Sequence, residues 1–356
     1  MLLVKIHALP RDPNPYQELL YREVRRAGHH VRYAARLTPS HALNLLLLPL
    51  ELAVYRTKGW RVLHVHWVFG FKLPGSERFP WLRRAAQAWF ATVLAVSRLL
   101  RIRIVWTAHN VLPHDRVFHD DVAARRRLVR ASDLVLVHSA ATPSALAQIG
   151  AAPRRTALVG MGPFEPGANL PPVERAEGDA LAVLFFGLIV EYKGVEDLLE
   201  AVLQVPSGTP IQVMVAGRCP DSELQRRLHV LAGRCGDRVS LRLERIPENE
   251  IEPLMAKANV VVLPFRRVTS SSSALLAMGS ARVVVLPDLP AFAELPRDAV
   301  VLYDGSIDGL ARVLREIERW TPARLAQVGA VARQCVRESS WAEVSQRTIT
   351  AIEEVL

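Results

Sequence analysis

Short runs of β-branched and aromatic residues alternate with amphipathic stretches along nearly the whole chain, and this alternation constrains the fold more than any other feature. The strand candidates in the first half are LVKIHAL, VLHVHWV, RIRIVWTAHN, DLVLVHS and TALVG; those in the second are LAVLFFGLI, IQVMVAG, VSLRLERI, NVVVLPF, ARVVVLPD and AVVLY. Between them, stretches such as YQELLYREVRRAG and GVEDLLEAVLQV place apolar residues three and four apart, with glycine near the ends. Strand and helix in repeated alternation predict α/β architecture, with parallel sheets covered by helices on both faces. The unbroken apolar character of VVVL and LAVLFF fits strands that show neither face to solvent.

One segment interrupts the pattern. Residues 163–179 hold four prolines and no apolar period, which reads as a linker. The expected organisation is a doubly wound Rossmann-like domain over residues 1–165, a linker over 166–178 and a second Rossmann-like domain over 179–335. A C-terminal helix over 336–356 is expected to pack back toward the first domain. Each half is the size of one doubly wound unit. Two such units on one linker are expected to face a central cleft, lined by strand C-termini and helix N-termini.

Composition removes several function classes. Cys219, Cys235 and Cys335 are too few for a disulfide framework, and none lies in a metal-binding Cys or His cluster. No run reaches the ~18 apolar residues of a membrane span, and the opening MLLVKIHALPRDPNPYQ reads as a strand entering a polar turn. A cytoplasmic protein is expected. The net charge of +10 is unevenly spread: residues 1–170 carry 24 Lys and Arg against 10 Asp and Glu, and the remainder 21 against 25. A basic first half suits an anionic partner, whether nucleic acid, a phosphorylated substrate or the negative face of a membrane. A high arginine content in the genome would explain the total but not the asymmetry. With no helix-turn-helix or RRM signature and with arginines dispersed, specific nucleic-acid recognition is the weaker alternative.

In an open α/β sheet, ligands sit beyond the carboxyl ends of the strands, so polar residues there are candidates for chemistry. WTAHNVLPHD delivers Thr107, His109, Asn110, His114 and Asp115 into one loop after a strand. LHVHWVFGF presents His64 and His66 on one face, with Trp67 next in sequence. In the second half, Gly187 ends a strand and Lys193 precedes a helix, the arrangement that suits a phosphate. VVLPFRRVTSSSSALLAMG carries Arg266, Arg267 and the hydroxyls of residues 269–273 to a helix N-terminus; one serine would serve as cap and the rest as an anion pocket. No histidine spacing indicates a metal site, and no paired carboxylate motif for magnesium is evident; no cofactor is expected.

The order of these motifs resembles the GT-B glycosyltransferases, specifically the bacterial group close to family 4. The resemblance runs over nearly the whole chain: Asn14-Pro15-Tyr16 with a helix ending in Ala27-Gly28-His29, Thr107 to Asn110, Val137-His138-Ser139, Phe186 to Gly194, Ala216 to Arg218, Pro247 to Glu250, and Pro264 to Ser271. It implies that the second domain binds a nucleotide-sugar through Gly187, Lys193, Arg218, Arg266, Ser270, Ser271 and Ser272. It implies also that His109 lies near the reacting sugar, with His114 and Asp115 as further candidates for catalysis, and that Tyr16, His66, Trp67 and Asn110 meet the acceptor. Where family members carry two glutamates with seven residues between them, this chain has Val268 and Leu276, and Leu188 replaces an arginine. The pattern therefore assigns neither the donor sugar nor the stereochemical outcome.

The expected activity is metal-independent transfer of a sugar from a GDP- or UDP-linked donor to a hydroxyl of a lipid-linked, polysaccharide-precursor or natural-product acceptor. A sugar-nucleotide epimerase or a non-catalytic binder on the same frame remains an alternative. The apolar segments 43–54 and 79–100 read mostly as buried helices, whereas Trp60, Trp67, Phe69, Phe71, Lys72, Trp81, Arg83 and Arg84 look like interfacial anchors. They suggest peripheral attachment to an anionic membrane surface on its inner face.

Overall fold

A computed structural model describes residues 3–11, 14–113, 115–164, 170–171, 173–176 and 178–356. The chain divides into two compact units, residues 1–161 with 341–356, and residues 162–340. The division falls after Ser340 and not at 335, because an unbroken helix spans Pro322–Arg337. The helix Trp341–Glu353 then packs against the first helix of unit 1.

Unit 1 holds six parallel strands, β1 (Lys5–Leu9), β2 (His30–Tyr33), β3 (Val62–Val65), β4 (Arg103–Thr107), β5 (Leu134–Val137) and β6 (Thr156–Leu158), in the order β2-β1-β3-β4-β5-β6. Its connecting helices are α1 (Pro15–Arg26), α2 (His41–Thr57), α3 (Trp81–Leu99), α4 (Asp121–Ala131) and α5 (Thr142–Gln148). Unit 2 holds β7 (Leu181–Phe186), β8 (Ile211–Ala216), β9 (Val239–Arg242), β10 (Val260–Val262), β11 (Val283–Pro287) and β12 (Val301–Tyr303), also parallel, in the order β12-β11-β10-β7-β8-β9. Its helices are α6 (Val195–Gln204), α7 (Ser222–Cys235), α8 (Glu248–Lys257), α9 (Ser272–Gly279), α10 (Ile307–Glu318) and α11 (Pro322–Arg337); α12 is Trp341–Glu353 of unit 1. Each unit is a doubly wound sheet. The strand order reverses between β1 and β3 in unit 1 and between β7 and β10 in unit 2, the points where such sheets take ligands.

Among the described residues, eleven of the twelve strands coincide with the sequence runs. The exception is β2, whose HVRY is edge-lying and nowhere fully buried, so charge and polarity mask its extended form. Local chemistry sets the helix ends. Asn14 caps α1 by accepting from the Tyr16 amide at 2.9 Å, with Pro15 supplying the fixed φ of the first turn.

Helix α2 departs from the expectation of a buried helix. Its two polar interruptions point inward: Asn44 accepts from the Thr38 amide at 2.7 Å, and Glu51 accepts from the Ala35 amide and pairs with Arg32. Leu45, Leu48 and Leu52 are buried beside them, while Leu43, Leu46, Leu50 and Val54 form a solvent-facing stripe. Conversely, Phe71 is fully buried and Trp67 is held in a ring cluster, so neither is an interfacial anchor. Trp60 packs on His7 and Tyr55. The exposed aromatics of this region are Phe69, Phe79 and Trp81. Among the described residues no helix is long and apolar enough to cross a membrane.

Candidate active site

In unit 1 the carboxyl ends of β3, β4 and β5 bring four histidines together beside α1. His138 Nδ1 lies 2.7 Å from the Gly160 carbonyl, and His138 Nε2 lies 3.3 Å from His109 Nδ1. His109 Nε2 is 3.1 Å from His66 Nδ1, and His66 Nε2 is 2.6 Å from the Tyr21 hydroxyl. That hydroxyl also lies 2.9 Å from His64 Nδ1, and His64 Nε2 is 2.7 Å from the Thr107 hydroxyl.

The geometry assigns every hydrogen in this chain. The Gly160 carbonyl can only accept, so His138 Nδ1 donates and, the ring being neutral, its Nε2 accepts from His109 Nδ1. His109 Nε2 then accepts from His66 Nδ1, His66 Nε2 accepts from the Tyr21 O–H, the Tyr21 oxygen accepts from His64 Nδ1, and Thr107 donates to His64 Nε2. Burial keeps all four rings neutral. It lowers His64 to about 3 and His138 to about 4, and it pushes His66 and His109 well below the usual imidazole range, with their mutual proximity adding to the effect.

Packing fixes His109 from the sides. Trp67 stacks on it with centroids 4.4 Å apart and planes 15° apart, and Tyr16 meets it edge-on at 4.7 Å. The loop that follows is clamped by Arg125, which stacks on Trp106 and donates to the Val111 carbonyl at 2.7 Å. His109 nevertheless keeps a partly exposed edge, as do Trp67 and Asn110.

Two expected acceptor-binding residues are not available to an acceptor. Tyr16 is 2% exposed and His66 1%: α1 lays the first against the histidine rings and Trp341, and β3 sets the second beneath His109. They position His109 instead. Asp115 is exposed in the following loop. His114 lies outside the described residues. Tyr21 carries a central link that sequence reading missed; its place five residues after Tyr16 on an amphipathic helix marked it only as core. His138 stood only inside a motif, though its position directly after β5 was a usable signal.

In unit 2 three loops converge at the switch between β7 and β10. Gly187 ends β7 at φ 127° and Gly217 ends β8 at φ 152°; a Cβ on Gly217 would overlap the Gly187 carbonyl oxygen. Residues 191–193 form one 3-10 turn, and Gly194, at φ 68°, opens α6 against the Pro264 carbonyl, leaving no room for a side chain. The Arg266 amide donates to the Tyr192 carbonyl at 2.9 Å, tying the loop after β10 to the loop after β7.

Lys193 rests its ammonium 4.4 Å above the Phe265 ring and has no hydrogen-bond partner or counter-ion among the described residues. Desolvation draws its pKa down to about 8. Ser271 caps α9, accepting from the Ala274 amide at 3.1 Å, and Ser272 is the first residue of that helix. Ser273, one of the hydroxyls expected at this helix start, faces Gly187, since a Cβ there would lie 3.3 Å from its Oγ. Ser270 is half-buried and Arg218 is exposed at the end of β8.

Arg266 differs from the expectation of a cation free for phosphate. It grips Asp197 with two bonds of 2.9 and 2.7 Å and lies near Glu191 and Glu196, the latter two held also by Arg227. Its charge is met by the acidic first turn of α6, whereas Lys193, Arg218 and Arg267 have no carboxylate partner among the described residues. Among the described residues no group of three His, Cys, Asp or Glu is arranged to hold a metal ion.

The chain has the two doubly wound sheets of the GT-B fold, and the comparisons that follow make it a glycosyltransferase. Residues 180–319 match the family described as glycosyl transferases group 1, which places that domain in unit 2. A curated relative, the GDP-mannose:glycolipid 4-beta-D-mannosyltransferase of Xanthomonas campestris pv. campestris, is 28% identical over 258 residues, 69% of this chain and 68% of that protein. Among solved structures, HepE of Anabaena in complex with UDP superposes with a TM-score of 0.69 at 16% identity, covering 99% of this chain and 100% of that one. The sucrose-phosphate synthase of Thermosynechococcus elongatus gives 0.69 at 18% identity over 99% and 95%.

Proposed function

We propose that this glycosyltransferase moves a sugar from a GDP- or UDP-linked donor to a hydroxyl of a glycolipid-type acceptor, without a metal ion. The observation that carries the donor side is Lys193, an ammonium held in an apolar setting with no counter-ion, at the strand-order reversal of unit 2. As the glycosidic bond breaks, negative charge grows on the diphosphate, and a fixed cation stabilises that state more than the ground state. The free amides at the N-terminus of α9 and the hydroxyls of Ser270, Ser272 and Ser273 add to it. The donor nucleotides named here follow the GDP-mannose relative and the UDP-bound HepE structure.

On the acceptor side, His109 orients the acceptor and the reacting sugar: its ring keeps a partly exposed edge, while Nδ1 is held by His138 and Nε2 by His66. Peripheral attachment to an anionic membrane accounts for the exposed leucine stripe of α2, which a helix packed only against its own sheet does not need.

A thermal-shift panel of UDP, GDP, ADP and dTDP tests the donor assignment. One nucleotide should stabilise the protein, by about 2.7 kcal/mol at a hundred times its dissociation constant, and Lys193→Ala should remove the shift. No response to any of the four would overturn it. Flotation with anionic vesicles tests the attachment; absence from anionic and neutral floats alike would end that part.

A further inference from the structure

The amino-terminal edge of the unit 1 sheet carries a feature that sugar transfer does not use. Two helices end there and two strands begin. Arg56 lies in the last turn of α2, Arg98 in the last turn of α3, Arg101 in the turn that follows at φ 52°, Arg61 just before β3, and Arg103 at the start of β4. The register sets Arg103 opposite Val62, and its amide donates to the Arg61 carbonyl at 2.7 Å, so the five side chains gather around one cavity of about 370 Å³. The volume falls within the ~300–1,000 Å³ of small-molecule sites.

Ordinary structural duties account for part of this cluster. Arg56 Nε donates to the Leu100 carbonyl at 2.9 Å, Arg98 Nη1 to the Ala131 carbonyl at 3.1 Å, and Arg103 Nη1 pairs with Asp133 at 3.2 Å. These are helix-end and strand-start contacts. Arg61 and Arg101 have no side-chain partner among the described residues. Among the described residues Asp133 is the one acidic side chain lining the cavity, which Ile102 and Leu356 also border. Like charges that share one cavity repel, and a folded chain with no use for them would intersperse acids, as unit 2 does around Arg227 and Arg266.

The position separates this cavity from the histidine chain. Strand β4 opens at Arg103 and closes at Thr107, the residue that donates to His64, so the two features occupy opposite edges of one sheet. Substrates of doubly wound sheets bind at the carboxyl edge. We propose that the arginine cavity is a second ligand site, separate from the sugar-transfer site, that takes a terminal phosphate or diphosphate group, whether carried by a soluble polyphosphate or by a lipid headgroup. Arg61 and Arg101 supply the open guanidinium forks, which match phosphate oxygens two at a time.

The test uses the full chain carrying Lys193→Met, which disables the donor pocket and so keeps the result independent of the donor assignment. Tripolyphosphate titrated calorimetrically in 50 mM salt, and flotation with vesicles containing a phosphomonoester lipid or only phosphodiester lipids, separate the two sources. Saturable binding of tripolyphosphate, or flotation that requires the phosphomonoester, supports the site when Arg61→Glu with Arg101→Glu weakens it at least tenfold. An unchanged thermal midpoint for that double variant, measured alongside, shows that the fold has survived; Arg61→Gln with Arg101→Gln serves if it has not. Binding of neither probe, or binding indifferent to both pairs of substitutions, overturns the proposal.

Discussion

His66 Nδ1 and His109 Nε2 lie 3.1 Å apart, and the hydrogen between them sits on His66. That assignment follows from the far end of the chain, where the Gly160 carbonyl forces His138 to donate. His109 is thereby held in one tautomer, its basic nitrogen turned to a group buried beneath it.

Replacing His66 by phenylalanine removes that donor while keeping a ring of similar size under His109. The tautomer is still set by His138, but His109 loses the bond that fixes its ring from below, and kcat should fall by about 10–100-fold as the ring loses its fixed orientation. The donor pocket lies in another unit, so nucleotide-induced thermal shifts should be unchanged. Steady-state rates with shift assays on the same preparation check both halves. A variant with full kcat would show that His66 has no positioning role.

Tyr21 bridges two rings through one oxygen, at 2.6 and 2.9 Å. Tyr21→Phe leaves His66 Nε2 and the His64 Nδ1–H buried without partners. A buried unsatisfied group costs about 1–3 kcal/mol, so urea unfolding should show a loss of ~2–4 kcal/mol for unit 1.

The neutral histidines make unit 1 sensitive to acid. In the unfolded chain they titrate near 6.5, whereas in the folded state His138 sits at about 4 and His64 at about 3. Folded values below unfolded ones mean that the stability is complete above pH ~6.5 and is lost as the unfolded state takes up protons on the way down to pH 3. Chemical denaturation across pH 7 to 4 should show this decline, and replacing His64 by glutamine should flatten it.

Much of this arrangement was legible in the sequence, and the remainder was hidden for identifiable reasons. Apolar runs such as VVVL and LAVLFF located the buried strands, because a strand covered on both faces has no polar positions to disguise it. The Thr107 to Asn110 strand end and Lys193 stood out for the same reason, being polar groups at the mouths of apolar strands. The histidine chain did not, since its links join residues 43 positions apart and depend on the hydroxyl of a tyrosine that helical spacing marks as core. The pairing of Arg266 with Asp197, 69 residues earlier, is equally invisible to local reading.

That pairing changes what Arg266 should do. An exposed pair of this kind contributes ~0–1 kcal/mol, and its main effect is to hold the loop after β10 against α6. Arg266→Ala should therefore weaken nucleotide binding less than Lys193→Ala, with a thermal midpoint close to that of the parent. Isothermal titration of both variants ranks them, and a greater loss for Arg266→Ala would return the direct phosphate contact to arginine.

Lys193 should set both the pH range of donor binding and a local cost to stability. Its pKa near 8 means that at pH 7 the ammonium is charged despite its apolar setting, a state that an incoming diphosphate relieves. Binding favours the protonated form, so affinity should hold steady below pH 8 and fall by up to about tenfold per unit above it, as the protein must first take up a proton. Lys193→Met removes the cation and its desolvation cost together. That variant should bind no nucleotide, show no such pH dependence, and unfold at ~1–3 kcal/mol higher free energy at pH 7. Guanidinium unfolding with nucleotide titrations from pH 6.5 to 9.5 would show both effects. A variant that is less stable than the parent and still binds nucleotide would mean that Lys193 is a structural cation rather than the residue that meets the phosphates.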